Sequence, residues 1–183
     1  MARLSEENMS AMQIFKFAQE VVIAVLPFLR AQVDALIPVE TTKVATLSTS
    51  QRMVCFFNPN YVKSKGIAGV AGIILHELCH PMDNHFARAE AIGALGSPKL
   101  AKLWNLCADA EINQRQPDAL PLPEGSYYPH NLPVPQENGR LAEEYYAVCL
   151  REMLKQEQEQ EQEQEQEQEQ EQEQVQEQEQ EQE

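Results

Sequence analysis

Residues 67–80 read IAGVAGIILHELCH. The apolar run Val70, Ile73, Ile74, Leu75 leads straight into His76-Glu77-Leu78-Cys79-His80, an HExxH motif. A helix turns about 100° per residue, so residues four apart lie about 40° apart on one face. His76 and His80 can therefore aim two imidazoles at one metal ion. Glu77 stands on the same rim, where it can hold a metal-activated water and accept its proton. A Zn²⁺ ion in such a place lowers the pKa of that water to about 7 and polarises a carbonyl. The apolar run buries the helix and gives the two imidazoles a rigid base.

A zinc site needs a third protein ligand. Residues 104–113 read WNLCADAEIN and form part of a second expected helix, residues 99–116. Asp109 on that helix is one candidate. Glu111 lies about 200° from Asp109 round the helix, so the two do not face one ion together. Asn113 shares the Asp109 face and can hydrogen-bond to a ligand. Trp104, Leu106 and Ile112 offer burial, and a carboxylate on a buried helix needs a partner. His85 is the rival ligand. On an unbroken helix it lies about 180° from His76 and cannot reach. Pro81 disfavours helical geometry at His80 and removes a donor, so a break there lets His85 swing back, as a ligand or behind one.

Upstream, residues 5–36 read as helix, with apolar residues from Ile14 to Leu26 at a period close to 3.6. Ser5 followed by Glu6 and Glu7 is a fair start, and Pro27 should kink or divide the helix. KVATLS (43–48) and RMVCFF (52–57) read as two strands of a hairpin, ended by Asn58-Pro59-Asn60. Downstream, residues 117–135 carry six Pro and read as a long loop. Its Tyr127, Tyr128 and His130 are better suited to packing than to chemistry. Residues 140–154 read as an amphipathic helix, with Leu141, Tyr145, Val148 and Leu150 as its contacts. The pattern is α+β and mostly helical, with a small β-hairpin or sheet.

The net charge of −15 is unevenly spread. Gln and Glu alternate from Gln156 to Glu183, broken only by Val175, and hold 13 Glu with no Lys or Arg. The remaining residues, 1–155, are near neutral, at −2. That balance argues against a nucleic-acid partner, which would call for a basic excess. The repeat has too little apolar surface to offset the entropy of ordering and reads as a solvated tail or linker, either disordered or a lone helix. No apolar stretch reaches about 18 residues, so no membrane span is expected. Cys55, Cys79, Cys107 and Cys149 form no CxxC pair, and no basic leader precedes an apolar core. Reduced, mostly buried thiols in a cytoplasmic protein follow.

The order hairpin, buried helix, HExxH resembles zincin-type metallopeptidases, which use a strand edge beside the helix to hold an extended substrate. The combined motifs narrow the resemblance. The run TTKVATLSTSQRMVCFFNPNYV, then HELCHPMDNHFAR, WNLCADAEIN and AEEYYAVCL, is similar to a metallopeptidase-type domain family usually found N-terminal to a von Willebrand factor A-like domain. Shared features are Asn58-Pro59, the HExxH with a further His85 and Arg88, and Ala108, Asp109, Ile112 and Asn113. The resemblance covers roughly residues 35–150. It implies a zincin-like fold, a peptide or protein substrate, zinc, and a von Willebrand factor A-like domain protein as partner. Pro81 departs from the pattern, and the Gln/Glu repeat lies where the linker to that domain would be. A stand-alone version from a phage or mobile element, or a reading frame truncated in its repeat, would each account for this. The expected boundaries are 1–155 for the domain and 156–183 for the tail. The leading expectation is zinc-dependent peptide hydrolysis with His76, His80 and Asp109 on the metal and Glu77 as general base. The alternative is a catalytically inactive metal-binding or protein-interaction domain acting with a partner.

Overall fold

The computed structural model describes residues 6–180. Ser5 and the last three residues of the repeat lie outside the described residues. The first long helix, α1 (Ala11–Val25), starts later than the sequence suggests. Ser10 caps it, accepting from the Gln13 amide while the Gln13 side chain accepts from the Ser10 amide. Pro27 divides the helical stretch as expected: a short 3₁₀ turn, Pro27–Leu29, leads into α2 (Arg30–Ala35).

Three strands follow: β1 (Ile37–Glu40), β2 (Leu47–Thr49) and β3 (Val54–Phe57), in the sheet order β1-β3-β2. The expected hairpin is β2–β3, paired antiparallel with Leu47 opposite Phe57 and Thr49 opposite Cys55. It is shorter than expected, because residues 43–46 form bends. β1 runs parallel to β3 and is absent from the sequence reading. Its exposed Ile37 and its Pro38 hide the strand pattern, and Pro is tolerated there because β1 is an edge. Leu47, Thr49, Cys55 and Phe57 point inward, and Phe57 stacks on Phe15 of α1 with centroids 4.9 Å apart.

The central helix α3 (Pro59–Met82) carries the HExxH motif. Asn58 caps it by accepting from the Asn60 and Tyr61 amides, and its side-chain amide donates to the Val44 carbonyl. The Asn-Pro pair thus starts the helix and ties down the approach to β2. Gly66, at φ 67° and ψ 178°, kinks α3. The helix restarts at Ile67, whose amide donates to Glu6 Oε1. The break expected at Pro81 comes later. Pro81 sits in the last turn, where it costs one helical donor, and the chain leaves the helix at Asp83 and Asn84. Asn84 is left-handed (φ 57°, ψ 31°), and α4 (His85–Ala91) begins at once.

α5 (Pro98–Asn113) is capped by Ser97, and α6 (Ala142–Gln180) continues as helix into the Gln/Glu repeat. The good helix propensity of Gln and Glu favours that course. Leu141 is corrected as a core contact: it is 56% exposed, because it precedes the first turn of α6. Ala142, Tyr145, Tyr146 and Cys149 supply the buried face. The four thiols are free, three of them buried. Among the described residues no helix is long and apolar enough to cross a membrane. The result is an α+β fold with a small open sheet.

Two hydrophobic clusters form. One joins α1, α2, the inner face of the sheet and α3, and the other joins α4, α5 and α6. The Pro-rich loop crosses α3 at Gly72. Gln116 Nε2 bonds both the Gly72 and Leu120 carbonyls, and a Cβ on Gly72 would lie 2.1 Å from the Pro121 carbonyl oxygen. Backbone cannot yield as a side chain tip can. Gly72→Ala is therefore expected to destabilise the chain by at least about 1–3 kcal/mol, read as a lower urea midpoint.

Candidate metal centre

The core-facing residues of α3 (Val70, Ile74, Leu75 and Leu78) orient the helix so that His76, Glu77 and His80 face a cavity of about 350 Å³. Asp109 and Asn105 of α5 form the opposite wall. β2, as an edge strand, supplies Leu47, Ser48 and Thr49 to one side, and Tyr127 of the Pro-rich loop closes another. Tyr128 and His130 stack on each other at 5.7 Å and line a different groove.

His76, His80 and Asp109 come together. The two Nε2 atoms are 3.2 Å apart, and Asp109 Oδ1 lies 3.5 Å from that of His76 and 3.4 Å from that of His80. Four ligands placed tetrahedrally about zinc at roughly 2.0–2.1 Å stand about 3.3–3.4 Å from one another. The observed triangle has those sides. Asp109 Oδ1 is buried and has no hydrogen-bond partner of good geometry, while Oδ2 accepts from Asn105 Nδ2 at 3.4 Å.

The surrounding hydrogen bonds favour one set of ring tautomers. Asn113 Nδ2 donates to the Tyr127 carbonyl, so its Oδ1 accepts from His76 Nδ1–H at 2.7 Å. Glu111 Oε2 accepts from His85 Nε2–H at 3.4 Å, which leaves Nδ1 of a neutral His85 as an acceptor. That atom accepts a hydrogen bond from His80 Nδ1–H at 3.2 Å. Both Nε2 atoms therefore present lone pairs to each other and to a carboxylate oxygen. In these tautomers three electron-rich atoms converge in one half-buried spot, an arrangement that suits a cation. The electrostatics agree. Burial works against a charge on His76, yet Asp109 raises its pKa. Burial likewise pushes Asp109 up, but the two imidazoles hold it at about 2. A proton meets part of this demand for positive charge, and the donor set suits a divalent ion.

His85 does not join the triangle; it stands behind His80. A second group, Asp83, His85 and Glu111, also gathers its ligand atoms within 4.8 Å. Guanidinium groups already occupy both of its carboxylates: Arg88 bonds Glu111 at 2.8 Å, and Arg115 bonds Asp83 at 2.5 Å. The sequence reading missed Asn105 and the Glu111 cluster. The i,i+4 spacing of Asn105 and Asp109 could have revealed the first. For the second, local spacing offers only Arg115, four residues after Glu111; its other partners come from α4 and α6.

A family model described as a putative metallopeptidase domain matches residues 12–183. No curated protein and no solved structure matches.

Proposed function

The chain belongs to the putative metallopeptidase domain family, and from that membership we propose a zinc-dependent peptidase. His76, His80 and Asp109 hold the ion, and Glu77 is the general base. The observation that supports this most is the triangle of two imidazole Nε2 atoms and one carboxylate oxygen, with sides of 3.2–3.5 Å. Zinc bound there would acidify a water and polarise the scissile carbonyl. Glu77, on the cavity rim, takes the proton of the attacking water and passes it to the departing amine. Asn113 and Asn105 orient His76 and Asp109 through the contacts described. The free edge of β2 offers backbone groups to an extended peptide, which selects for unfolded or loop segments.

We assign the domain to residues 1–155 and treat 156–183 as an extension. In support, the contact of Glu157 with Lys99 lies at the surface with both side chains more than a third exposed, an ion pair worth at most about 1 kcal/mol.

The test is metal analysis on the full chain. About one zinc per chain is expected, lost on His76→Ala or His80→Ala. Asp109→Ala should weaken zinc by more than the roughly 100-fold upper end of an indirect contact, and by more than any change at His85. Full zinc content in His80→Ala would overturn the site.

A further inference from the structure

Behind His80, away from the cavity, an unbroken line of hydrogen bonds runs into the protein. His80 Nδ1–H donates to His85 Nδ1, and His85 Nε2–H donates to Glu111 Oε2. Glu111 in turn accepts from Arg88 and, at 2.7 Å, from the Ala142 amide in the first turn of α6. Arg88 also binds Glu143 of α6 through two nitrogens. We propose that Glu111 is a positioning residue for the metal: acting through His85, it fixes the tautomer and orientation of His80, and Arg88 with the start of α6 fixes Glu111. The inference rests on the metal reading of His76, His80 and Asp109.

The direction of the chain follows from its terminus. A carboxylate only accepts, so it fixes the His85 proton on Nε2. His85 is 2% exposed, with the Trp104 ring edge-on at 6.1 Å, so water does not compete for its nitrogens. Without Glu111, His85 is free to carry its proton on Nδ1 and donate to His80. His80 would then carry its own proton on Nε2, the atom that faces Asp109, and an ion would have to displace it. A second cation at Asp83, His85 and Glu111 is the competing use of these residues. The guanidinium groups of Arg88 and Arg115 on its carboxylates, and the contact of His85 Nδ1 with His80, stand against it.

The experiment measures zinc affinity by chelator competition, and the visible spectrum of the Co²⁺-loaded chain, on protein that circular dichroism shows to be folded. Wild type should bind one ion. His85→Leu should weaken zinc by about 10- to 100-fold and alter the Co²⁺ bands. His85→Gln, which can accept from His80 and donate to Glu111, should recover most of the affinity. Glu111→Gln should weaken zinc in the same direction, and combining it with His85→Leu should add little, because the two act in series. If His85→Leu does not fold, the comparison of His85→Gln with Glu111→Gln decides. A merely structural role would lower the unfolding midpoint of the ion-free variants and leave the affinity of folded protein unchanged, which would overturn the proposal. Additive losses in the double variant, or two ions per wild-type chain with one lost on His85→Leu, would also overturn it. A wild type that binds no ion would instead remove the metal reading itself.

Discussion

Glu77→Gln is expected to retain the full zinc content of the chain and lose peptide hydrolysis by about 10²- to 10⁴-fold or more, the usual contribution of a general base. Glu77 follows His76 directly, so it sits about 100° round α3 from the first ligand and lines the same cavity. It takes no part in the His76–His80–Asp109 triangle, so the amide leaves the donor atoms untouched. Gln matches Glu in shape and cannot take up a proton at neutral pH. His80→Ala should lose both zinc and hydrolysis. The separation of the two properties distinguishes the base from a ligand. Zinc content and turnover of an unstructured substrate, such as a fluorogenic peptide library, measure it. A Glu77→Gln chain that hydrolyses at the parental rate would end the assignment of the base, and one that loses zinc would make Glu77 a ligand.

Arg88→Ala is expected to cost about 3 kcal/mol of folding stability at neutral pH, the lower end for stripping the partner from a buried charge. Glu111 has a side chain only 6% exposed, and Arg88 joins it to Glu143 while lying against Trp104 at 5.9 Å. Burial would raise the Glu111 pKa, but hydrogen bonds from His85, Arg88 and the Ala142 amide outweigh it and hold the group at about 2, against an ordinary 4.5. The folded value is depressed, so this contribution is full above about pH 4.5 and fades as pH falls towards 2. Glu143 is lowered too, chiefly by Arg88, and has the same sign. The gap between Arg88→Ala and its parent should therefore be widest above pH 4.5 and close in acid. Urea unfolding of the ion-free chains at several pH values reads this directly. A gap that grows on acidification would mean that the cluster does not stabilise through its carboxylates.

What was legible in the sequence was whatever depends on neighbours along the chain. His76 and His80 share a helical face by spacing alone, and Asn113 meets His76 because it shares a face with Asp109. Asn58-Pro59 announced a helix start. The division at Pro27 followed from one ring. Contacts between distant segments were hidden. β1 has no alternation to betray it, since it is an exposed edge with a proline. Leu141 looked like core by hydropathy, but the first turn of α6 begins one residue later. For His85 to come near His80, the helix has to break between them. The break came at Asn84, whose left-handed conformation no pattern of hydrophobicity encodes. Glu111 lies about 200° round α5 from Asp109 by spacing alone. What it does instead depends on α4 and α6 arriving from either side, which long-range packing decides.

The two hydrophobic clusters meet at the candidate metal centre. His76 and His80 belong to the helix of the first, and Asp109 to a helix of the second. An ion held by all three would act as a rivet across the joint. Its binding free energy would then resist the parting of two halves, adding to contacts such as that of Gln116 with the Gly72 carbonyl. At an ion concentration a hundred times the dissociation constant, that resistance is about 2.7 kcal/mol. Slower amide exchange on both sides of the joint would be its mark, with the ion-free chain opening first along the plane between α3 and α5. A peptide lying against β2 and Tyr127 would sit astride that same plane, so a bound ion would brace the very surface on which the chain would work.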